Sequence, residues 1–358
     1  PPGGIKFLPN LRYLLDPKNT DLYRIEFIAK LADVADVYIN CAFGCSHRIT
    51  KSIKLLPQLM RQEGKLVVSG VLLYEEIYRL GKFAGKILSQ PKKTMVVTGG
   101  AKIADKIEIL KQFVSTGVKS ILIGGKMANA FLLAQQQKEL LQPFQKDTLP
   151  AKLQSQVEAK NNELLHEINL AEKIIELAEA NKVNLYLPED YKVVTDYQST
   201  SFENKTSPDF SKELQLDLGE KTINQFEEIF KDIENVFWNG PLGAYDHPAC
   251  SYYAEGSLEL AKLLFQMALT NPKFSVVIGG GDSAAILNKI GINELKKIIK
   301  AQIEKQFPSN INRNQISIDF LENDSYQLWN YFATNFFVST GDGAALEFLQ
   351  GFLKGKAK

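Results

Sequence analysis

Short apolar runs that end at glycine or another turn-forming residue recur along this chain, and each is followed by a helical pattern. There are six such runs, at residues 95–98, 121–123, 185–187, 236–238, 276–278 and 336–338. Strands that are apolar throughout indicate a parallel sheet covered on both faces. Right-handed crossovers then bring the carboxyl ends of the strands to one edge, where open α/β sheets bind ligands. We therefore expect an α/β fold with a ligand site at that edge.

The most glycine-rich turn follows the run at 276–278 and reads Gly279-Gly280-Gly281-Asp282-Ser283. Glycines at a helix start let backbone N–H groups approach an anion closely, and Asp282 is placed to hold a metal beside that anion. The turn after the run at 236–238 contributes Asn239-Gly240-Pro241. The two turns together favour a nucleotide site.

A pair of lysines follows the first run, in the segment Gly99-Gly100-Ala101-Lys102-Ile103-Ala104-Asp105-Lys106. Their spacing predicts that both ammonium groups lie on one face of the helix that opens after the strand. Two cations at the positive end of a helix repel each other unless an anion lies between them. A solvated lysine pair is the alternative, but the Gly-Gly turn at the shared edge favours an anion site.

The segment Asn40 to Arg48 combines Cys41, Cys45, His47 and Arg48. A zinc site is an alternative that we disfavour, because a closed site needs four ligands and no second Cys/His pair lies nearby in the sequence. Arg48, with His47, suits a phosphate or a carboxylate held by two hydrogen bonds. We expect Cys41 and Cys45 to be small buried residues.

Composition excludes several classes of partner. The 42 Lys and Arg residues balance 41 Asp and Glu residues, which leaves no net charge to attract nucleic acid or an anionic membrane. No apolar run approaches the roughly 20 residues needed to span a bilayer. Three cysteines are too few for a disulfide framework. We expect a soluble protein of a reducing, cytoplasmic compartment, without nucleic acid or membrane partners.

The chain divides into two unequal parts. Near the start we expect strands at 5–8 and 34–39 with a helix at 22–31 between them, a piece too small for a large core of its own. A long helix at 72–88 leads into the part that carries the six runs. Two stretches resemble insertions, at 135–161 and 290–325, the second with a helix signal at 294–299.

A further helix is expected at 163–180, after the first insertion. Its apolar residues recur at helical spacing. They are Leu164, Leu165, Ile168, Ala171, Ile175 and Ala178.

The chain resembles the phosphoglycerate kinase family over nearly its whole length, apart from the two insertions. The segments that carry the resemblance, in order, are LADVADVYINCAFGCSHR, GGAKIADKI, LIGGKMANAFL, LPED, DLGEKT, WNGPLGAYD, GGGDSAA and STGDGAALEFL. The resemblance implies two Rossmann-like three-layer αβα domains with parallel sheets, the N-terminal one incomplete. It divides the chain into a 3-phosphoglycerate-binding remnant (1–71), an interdomain helix (72–90), a nucleotide-binding domain (91–345) and a C-terminal return segment (346–358).

The resemblance also implies an activity. It is the reversible, Mg²⁺-dependent transfer of a phosphoryl group between 1,3-bisphosphoglycerate and ADP, which gives 3-phosphoglycerate and ATP in glycolysis. Domain closure would exclude water from the acyl phosphate. The family resemblance further leads us to expect a monomer.

Residue roles follow from the matching positions. Lys102 matches the lysine that contacts the transferring phosphoryl group, Lys106 a lysine on the nucleotide phosphates, and Asp282 the acidic residue beside the magnesium ion. The other matches are nucleotide contacts at Gly99 and Gly100, the phosphate path at Gly279, Gly280, Gly281 and Ser283, the adenine border at Gly124 and Gly125, ribose contacts at Asn239, Pro241 and Asp246, the phosphoryl-transfer turn at Gly341 and Gly343, and 3-phosphoglycerate contacts at Arg12 and Arg48.

Several features depart from the family pattern. The chain starts at Pro1 and its first methionine is Met60, so we expect a fragment that lacks the opening strands and half of the acid-binding basic patch. Cys41 replaces an aspartate, and Lys126 replaces a third glycine at the adenine edge. Asp342 interrupts a triple-glycine turn, and a carboxylate about 4 Å from the transferring group would cost roughly 1–4 kcal/mol.

Two hypotheses of different class stay open. In the first, the chain is part of a working phosphoglycerate kinase, although the fragment itself binds triose phosphate poorly. In the second, it is a non-catalytic, degenerate nucleotide-binding relic of the same fold. A nicotinamide dehydrogenase fits less well, because no turn reads G-x-G-x-x-G with an acidic residue about 20 positions on.

Overall fold

The architecture is taken from a computed structural model of the chain. The structure describes residues 4–8, 11, 22–140, 151–209, 212–248, 251–291, 293–294, 297–299, 301, 335–341 and 343–356. Strands β1 to β11 span Val37–Asn40, Leu66–Ser69, Thr94–Thr98, Ser120–Ile123, Asn184–Tyr186, Tyr191–Val194, Glu203–Lys205, Leu214–Leu218, Asn235–Asn239, Ser275–Gly279 and Phe336–Ser339. Helices α1 to α11 span Leu22–Val34, Leu56–Gln62, Val71–Ser89, Ile107–Thr116, Ala128–Leu140, Ala151–Ala180, Glu220–Asn224, Phe226–Ile229, Glu255–Thr270, Gly281–Asn288 and Gly343–Lys356.

The six predicted strands form one parallel sheet, in the order β11-β10-β9-β3-β4-β5. Side chains alternate between the two faces, so Val96 joins the core under α3, α4, α6 and α11 while Val97 joins the core under α9. Burying one such aliphatic side chain contributes about 1.5–3 kcal/mol. The prediction of a parallel sheet covered on both faces is confirmed. β5, which closes one edge of the sheet, is more exposed than the other strands.

The N-terminal part is a smaller unit with its own core. β1 and β2 pair in parallel as a two-stranded sheet, and α1 packs against α2 through Ile28, Ala32, Leu56 and Met60. The strand predicted at 5–8 is wrong, because these residues have no regular structure and Phe7 is 93% exposed. The strand predicted at 34–39 begins later, since Val34 still belongs to α1.

The sequence analysis missed a second sheet. β6, β7 and β8 form a three-stranded antiparallel sheet in the order β7-β6-β8. Its strands are short and carry charged residues, among them Lys192 and Asp217, so they lack the apolar signature of the main sheet. The fold is therefore mostly parallel, with one small antiparallel addition.

The helix predictions are accurate in type and less so in extent. The helix expected at 72–88 is α3, which spans Val71–Ser89. The helix expected at 163–180 is the C-terminal part of α6, which starts at Ala151. Leu164 and Leu165 are exposed rather than part of its buried stripe, because the packed part of α6 begins at Ile168.

The two presumed insertions are described only in part. Residues 141–150 and most of 290–325 lie outside the described residues. Helical structure does occur at 293–294 and 297–299, within the predicted helix signal. Among the helices that the structure describes, none combines the length and apolar composition that crossing a bilayer needs.

Candidate functional site

The carboxyl ends of the central strands lie side by side, as the parallel topology requires. In the sheet register Thr98 pairs with Ile123 and with Asn239, and Asn239 pairs with Gly279. The turns that follow these residues therefore share one edge. β3 and β10 have only β9 between them, so their ends are roughly 10 Å apart. This places the turn with Lys102 and the turn with Asp282 on the same edge.

Backbone hydrogen bonds fasten three of these turns to one another. The N–H of Gly99 donates to Asn239 O at 3.1 Å, and the N–H of Gly100 donates to Pro241 O at 2.8 Å. The N–H of Gly125 donates to Leu242 O at 2.9 Å. These bonds hold the three turns in fixed relative positions, and each of the three amides is paired with a carbonyl group of the protein.

Gly240 requires glycine for two reasons. Its φ of +94° lies in the left-handed region. A Cβ there would come 2.5 Å from Gly99 O and 2.4 Å from Nζ of Lys106. Even alanine would strain the backbone and push against an immovable carbonyl group. Gly124 is similarly close-packed, since a Cβ there would lie 2.6 Å from Leu242.

The lysine pair lies in a turn and not on a helix, which corrects the sequence prediction. α4 begins at Ile107, and Lys106 is the residue before its first turn. Nζ of Lys106 donates to Gly99 O at 2.5 Å and to Asn239 O at 3.0 Å, while Nζ of Lys102 pairs with Glu163 at 2.7 Å. In this structure carbonyl groups lie against the charge of Lys106, and a carboxylate lies against the charge of Lys102.

Asp282 occupies the first turn of α10, at the predicted helix start, and its side chain is exposed. Its Oδ1 accepts a hydrogen bond from the Tyr245 hydroxyl at 2.8 Å. Burial, reinforced by that hydrogen bond and by the charges of Asp282 and Asp246, raises the pKa of Tyr245 to about 12. The tyrosine therefore stays a neutral donor and steadies the carboxylate across the physiological range.

Two predicted nucleotide contacts have buried side chains that hold the edge together. Nδ2 of Asn239 donates to Gly279 O at 2.9 Å. Oγ of Ser283 accepts from the N–H of Gly240 at 2.9 Å. These bonds connect the turn after β9 with the turn after β10. Their structural role was not evident from the sequence.

The turn after β11 contacts the N-terminal part of the chain. A Cβ on Gly341 would lie 2.3 Å from Cε1 of Phe43, and a Cβ on Gly343 would lie 3.5 Å from Nε2 of His47. Arg48 follows in the same segment and is half-buried. The structure thus brings the residues after β1 close to this turn. Arg12 and Asp342 lie outside the described residues.

Glu76 is a residue that the sequence analysis overlooked. It lies on the apolar stripe of α3, and its Oε1 accepts from the N–H of Thr340 at 3.0 Å and from the Thr340 hydroxyl at 3.3 Å. Burial raises the pKa of Glu76 in spite of these bonds. The sequence did contain a signal for this residue, because Glu76 is the one carboxylate among the apolar residues that recur at helical spacing along the described buried face of α3.

Cys41 and Cys45 were expected to be buried, but the structure contradicts this prediction. Both cysteines are exposed and free. Within the described ranges, no three His, Cys, Asp or Glu side chains come close enough to hold a metal by themselves. Asp282 alone still fits Mg²⁺, which is often bound through one or two carboxylates together with substrate phosphates.

Chemically, this edge can bind a polyphosphate. It combines the ammonium groups of Lys102 and Lys106, the N-terminal amides of α10 and one exposed carboxylate for a cation. The arrangement suits positioning and charge neutralisation rather than covalent catalysis.

Comparisons with known proteins agree with this geometry. The family profile described as phosphoglycerate kinase matches residues 1–302. Phosphoglycerate kinase of Lactobacillus johnsonii is 34% identical over 264 residues, which cover 73% of this chain and 57% of the relative. That of Chlamydia muridarum is 30% identical over 364 residues, which cover 99% of this chain and 71% of the relative.

A solved structure of phosphoglycerate kinase from Coxiella burnetii superposes with a TM-score of 0.57 at 23% identity, over 93% of this chain and 68% of that chain. This likeness concerns the fold alone and is consistent with a two-domain architecture of that type. The chain spans 57% of the length of the first relative.

Proposed function

We propose that this chain, which belongs to the phosphoglycerate kinase family, catalyses a reversible phosphoryl transfer. The transfer runs between 1,3-bisphosphoglycerate and ADP and gives 3-phosphoglycerate and ATP. One observation carries the proposal: the Lys102–Lys106 turn and the Asp282 helix start lie on one edge of one parallel sheet. Residues far apart in sequence are thereby available to a single triphosphate chain.

The proposed contacts with the triphosphate come from the turn after β3 and from the turn after β10. Lys106 holds nucleotide phosphates, and Lys102 neutralises the phosphoryl group in transfer. The amides of Gly279 to Gly281 point along the phosphate path. Asp282 would hold Mg²⁺, which when bound supplies positive charge to the phosphate oxygens. Tyr245 keeps Asp282 in place through its hydroxyl hydrogen bond.

Nucleotide recognition by the base and ribose is also a proposal. Gly124 and Gly125 border the adenine, with Lys126 beside them as an added charge. Asn239 and Pro241 lie along the ribose, and Asp246 accepts from its hydroxyls.

The triose side is assigned to the N-terminal part. Arg48 and Arg12 would bind the 3-phosphoglycerate, and the turn of Gly341 and Gly343 faces the point of transfer. The contact between Phe43 and Gly341 supports this assignment, because it brings the two sides together.

The remaining expectations complete the proposal. We take residues 1–71 as the remnant of the triose domain, 72–90 as the interdomain helix, 91–345 as the nucleotide domain and 346–358 as the return segment. We also propose that the protein acts in the cytoplasm as a monomer. The contacts of α11 with α3 and α4 support a return of the C-terminus towards the interdomain helix.

The decisive experiment is a coupled assay with ATP, Mg²⁺ and 3-phosphoglycerate on the purified protein. We expect turnover, and we expect Lys102→Ala to lower the rate at least tenfold, a loss of about 1.4 kcal/mol or more of transition-state stabilisation. Lys111→Ala is the matched control, because Lys111 lies partly exposed on α4 and pairs with Glu108, a neighbour one turn away. Nucleotide binding without turnover would favour the alternative, a non-catalytic nucleotide-binding relic.

A further inference from the structure

Two carboxylates on α6 reach the turn that carries Lys102. Glu163 and Glu167 are one helical turn apart, so they face the same direction. Oε1 of Glu163 lies 2.7 Å from Nζ of Lys102, and Oε2 of Glu167 accepts from the N–H of Ile103 at 2.6 Å. One helix therefore holds both the side chain of Lys102 and the peptide that follows it.

The two contacts differ in how accessible they are. Ile103 is completely buried in the main core, so the Glu167 bond anchors the backbone of the turn from within. The side chains of Lys102 and Glu163 are 55% and 58% exposed. A soluble anion can thus reach Lys102 and compete with Glu163, whereas the anchored backbone keeps its position.

We propose that Glu163 is a positioning residue that occupies the ammonium group of Lys102 in the nucleotide-free protein and is exchanged for a phosphate group when Mg-nucleotide binds. The inference rests on the proposed function, since it takes the nucleotide as the competing anion. Glu167 keeps the turn in place during the exchange. In the paired state the ammonium group of Lys102 contacts α6, whereas that of Lys106 contacts the carbonyl groups of Gly99 and Asn239.

The exchange has a cost that can be measured. Each binding event must first separate Lys102 from Glu163 and then leaves a free carboxylate near a polyanion. Asp105 and Glu167 are the other acidic groups that act on Lys102, and Lys126 is a further cation that acts on Glu163. Removing only the Glu163 charge should therefore strengthen nucleotide binding while the fold stays intact.

The first test is the affinity for Mg-ATP, whose terminal phosphoryl group is the one assigned to Lys102, measured by isothermal titration calorimetry. We expect Glu163→Gln to bind Mg-ATP about two- to fivefold more tightly, the range typical of an exposed ion pair. Glu176→Gln, an equal charge change at an exposed position of the same helix, should leave the affinity unchanged. In a Lys102→Ala background, Glu163→Gln should lose its effect. The gain should also shrink at high salt, because exposed charges are screened.

The second test needs no nucleotide. The hydrogen bond and charge of Glu163 raise the pKa of Lys102, so less of its amine is free to react. Acylation by an activated ester, followed residue by residue with mass spectrometry, should therefore be faster at Lys102 in Glu163→Gln than in the wild type. Glu176→Gln should again match the wild type.

The outcomes separate the inference from the proposed function. If the wild type and Glu163→Gln bind Mg-ATP with the same affinity, the inference is overturned and the proposed function stands. Equal acylation rates at Lys102 in both proteins also overturn it. Failure of the wild type to bind Mg-ATP refutes the proposed function and with it the exchange, while the acylation rates still decide whether Glu163 holds Lys102.

Discussion

Replacing Lys192 by methionine should destabilise the protein in a strongly pH-dependent way. Lys192 is a buried lysine on β6, with only 1% of its side chain exposed. Its Nζ lies 3.7 Å from Oδ2 of Asp217, donates to Tyr252 O at 3.0 Å and also pairs with Glu255. Methionine matches the length of the aliphatic stem but removes the charge. Asp217, which is fully buried, would keep one hydrogen bond, from the N–H of Gly256 at 2.9 Å.

The size of the effect follows from the geometry. Two unit charges 3.7 Å apart interact by about 4 kcal/mol at an effective dielectric constant of about 20. Removing one partner of a buried pair costs about 3–5 kcal/mol, because the other charge is left uncompensated. We therefore expect Lys192→Met to lower the free energy of unfolding by about 3–5 kcal/mol at pH 8.

The pH dependence follows from Asp217. Burial raises its pKa from 3.8 to about 7, a shift that the Gly256 hydrogen bond and the charge of Lys192 oppose only in part. Because the folded-state pKa is the higher one, this group binds its proton more tightly in the folded protein, and stability falls as pH rises from about 4 to about 7. Without Lys192 the pKa should rise further. The cost of Lys192→Met should therefore be smaller at pH 6, where Asp217 carries a proton, than at pH 8.

Urea unfolding at pH 6 and pH 8 measures both effects. Lys262→Met is the control, because Lys262 forms a partly exposed pair with Glu259, one turn away, whose loss should cost at most about 1 kcal/mol. Asp217→Asn in the Lys192→Met background should recover part of the loss at pH 8. A cost at pH 8 below about 1 kcal/mol, or one that is equal at both pH values, would refute this reasoning.

Two further predictions concern the site and its junction with the N-terminal part. Gly240→Ala should weaken Mg-ADP binding at least tenfold and lower the melting temperature. The φ of +94° at Gly240 disfavours alanine, and a Cβ there would collide with the Gly99 oxygen and the Lys106 ammonium group. Calorimetry measures the affinity, and thermal melts measure the stability. Glu76→Gln keeps an acceptor for Thr340 but removes a carboxyl group whose pKa burial raises above 4.5. The wild type should therefore lose stability relative to this variant as pH rises above about 4.5, and parallel urea titrations that show no such divergence would contradict the assignment.

The main sheet could be predicted because its signal is local and repeated. Each central strand is buried on both faces, so it must be apolar along its length, and each ends at a turn that favours small residues. The small antiparallel sheet could not be predicted in this way. β6 buries Lys192 beside Asp217, and the partner that makes such burial tolerable lies 25 residues away in the sequence, on β8.

The sequence predicted that the glycine-rich turns lie on one edge of the sheet, but not which contacts their side chains make. The glycine-rich turns identified Lys106, Asn239 and Asp282, because peptide–anion contacts demand particular residue types at particular positions. The sequence analysis wrongly assigned both lysines to a helix, since spacing alone cannot show where a helix begins. The sequence also gave no sign that the side chains of Asn239 and Ser283 form hydrogen bonds with backbone groups of neighbouring turns.

Residue types and their spacing along the chain were enough to predict the class of fold, the order of the glycine-rich turns and the family. Tertiary packing sets which polar groups meet: Lys102 with Glu163, Glu76 with Thr340, and Lys192 with Asp217. The reason is physical. The strength of an ionic or hydrogen-bonded contact depends on distance and burial, and both are set by how separate elements pack.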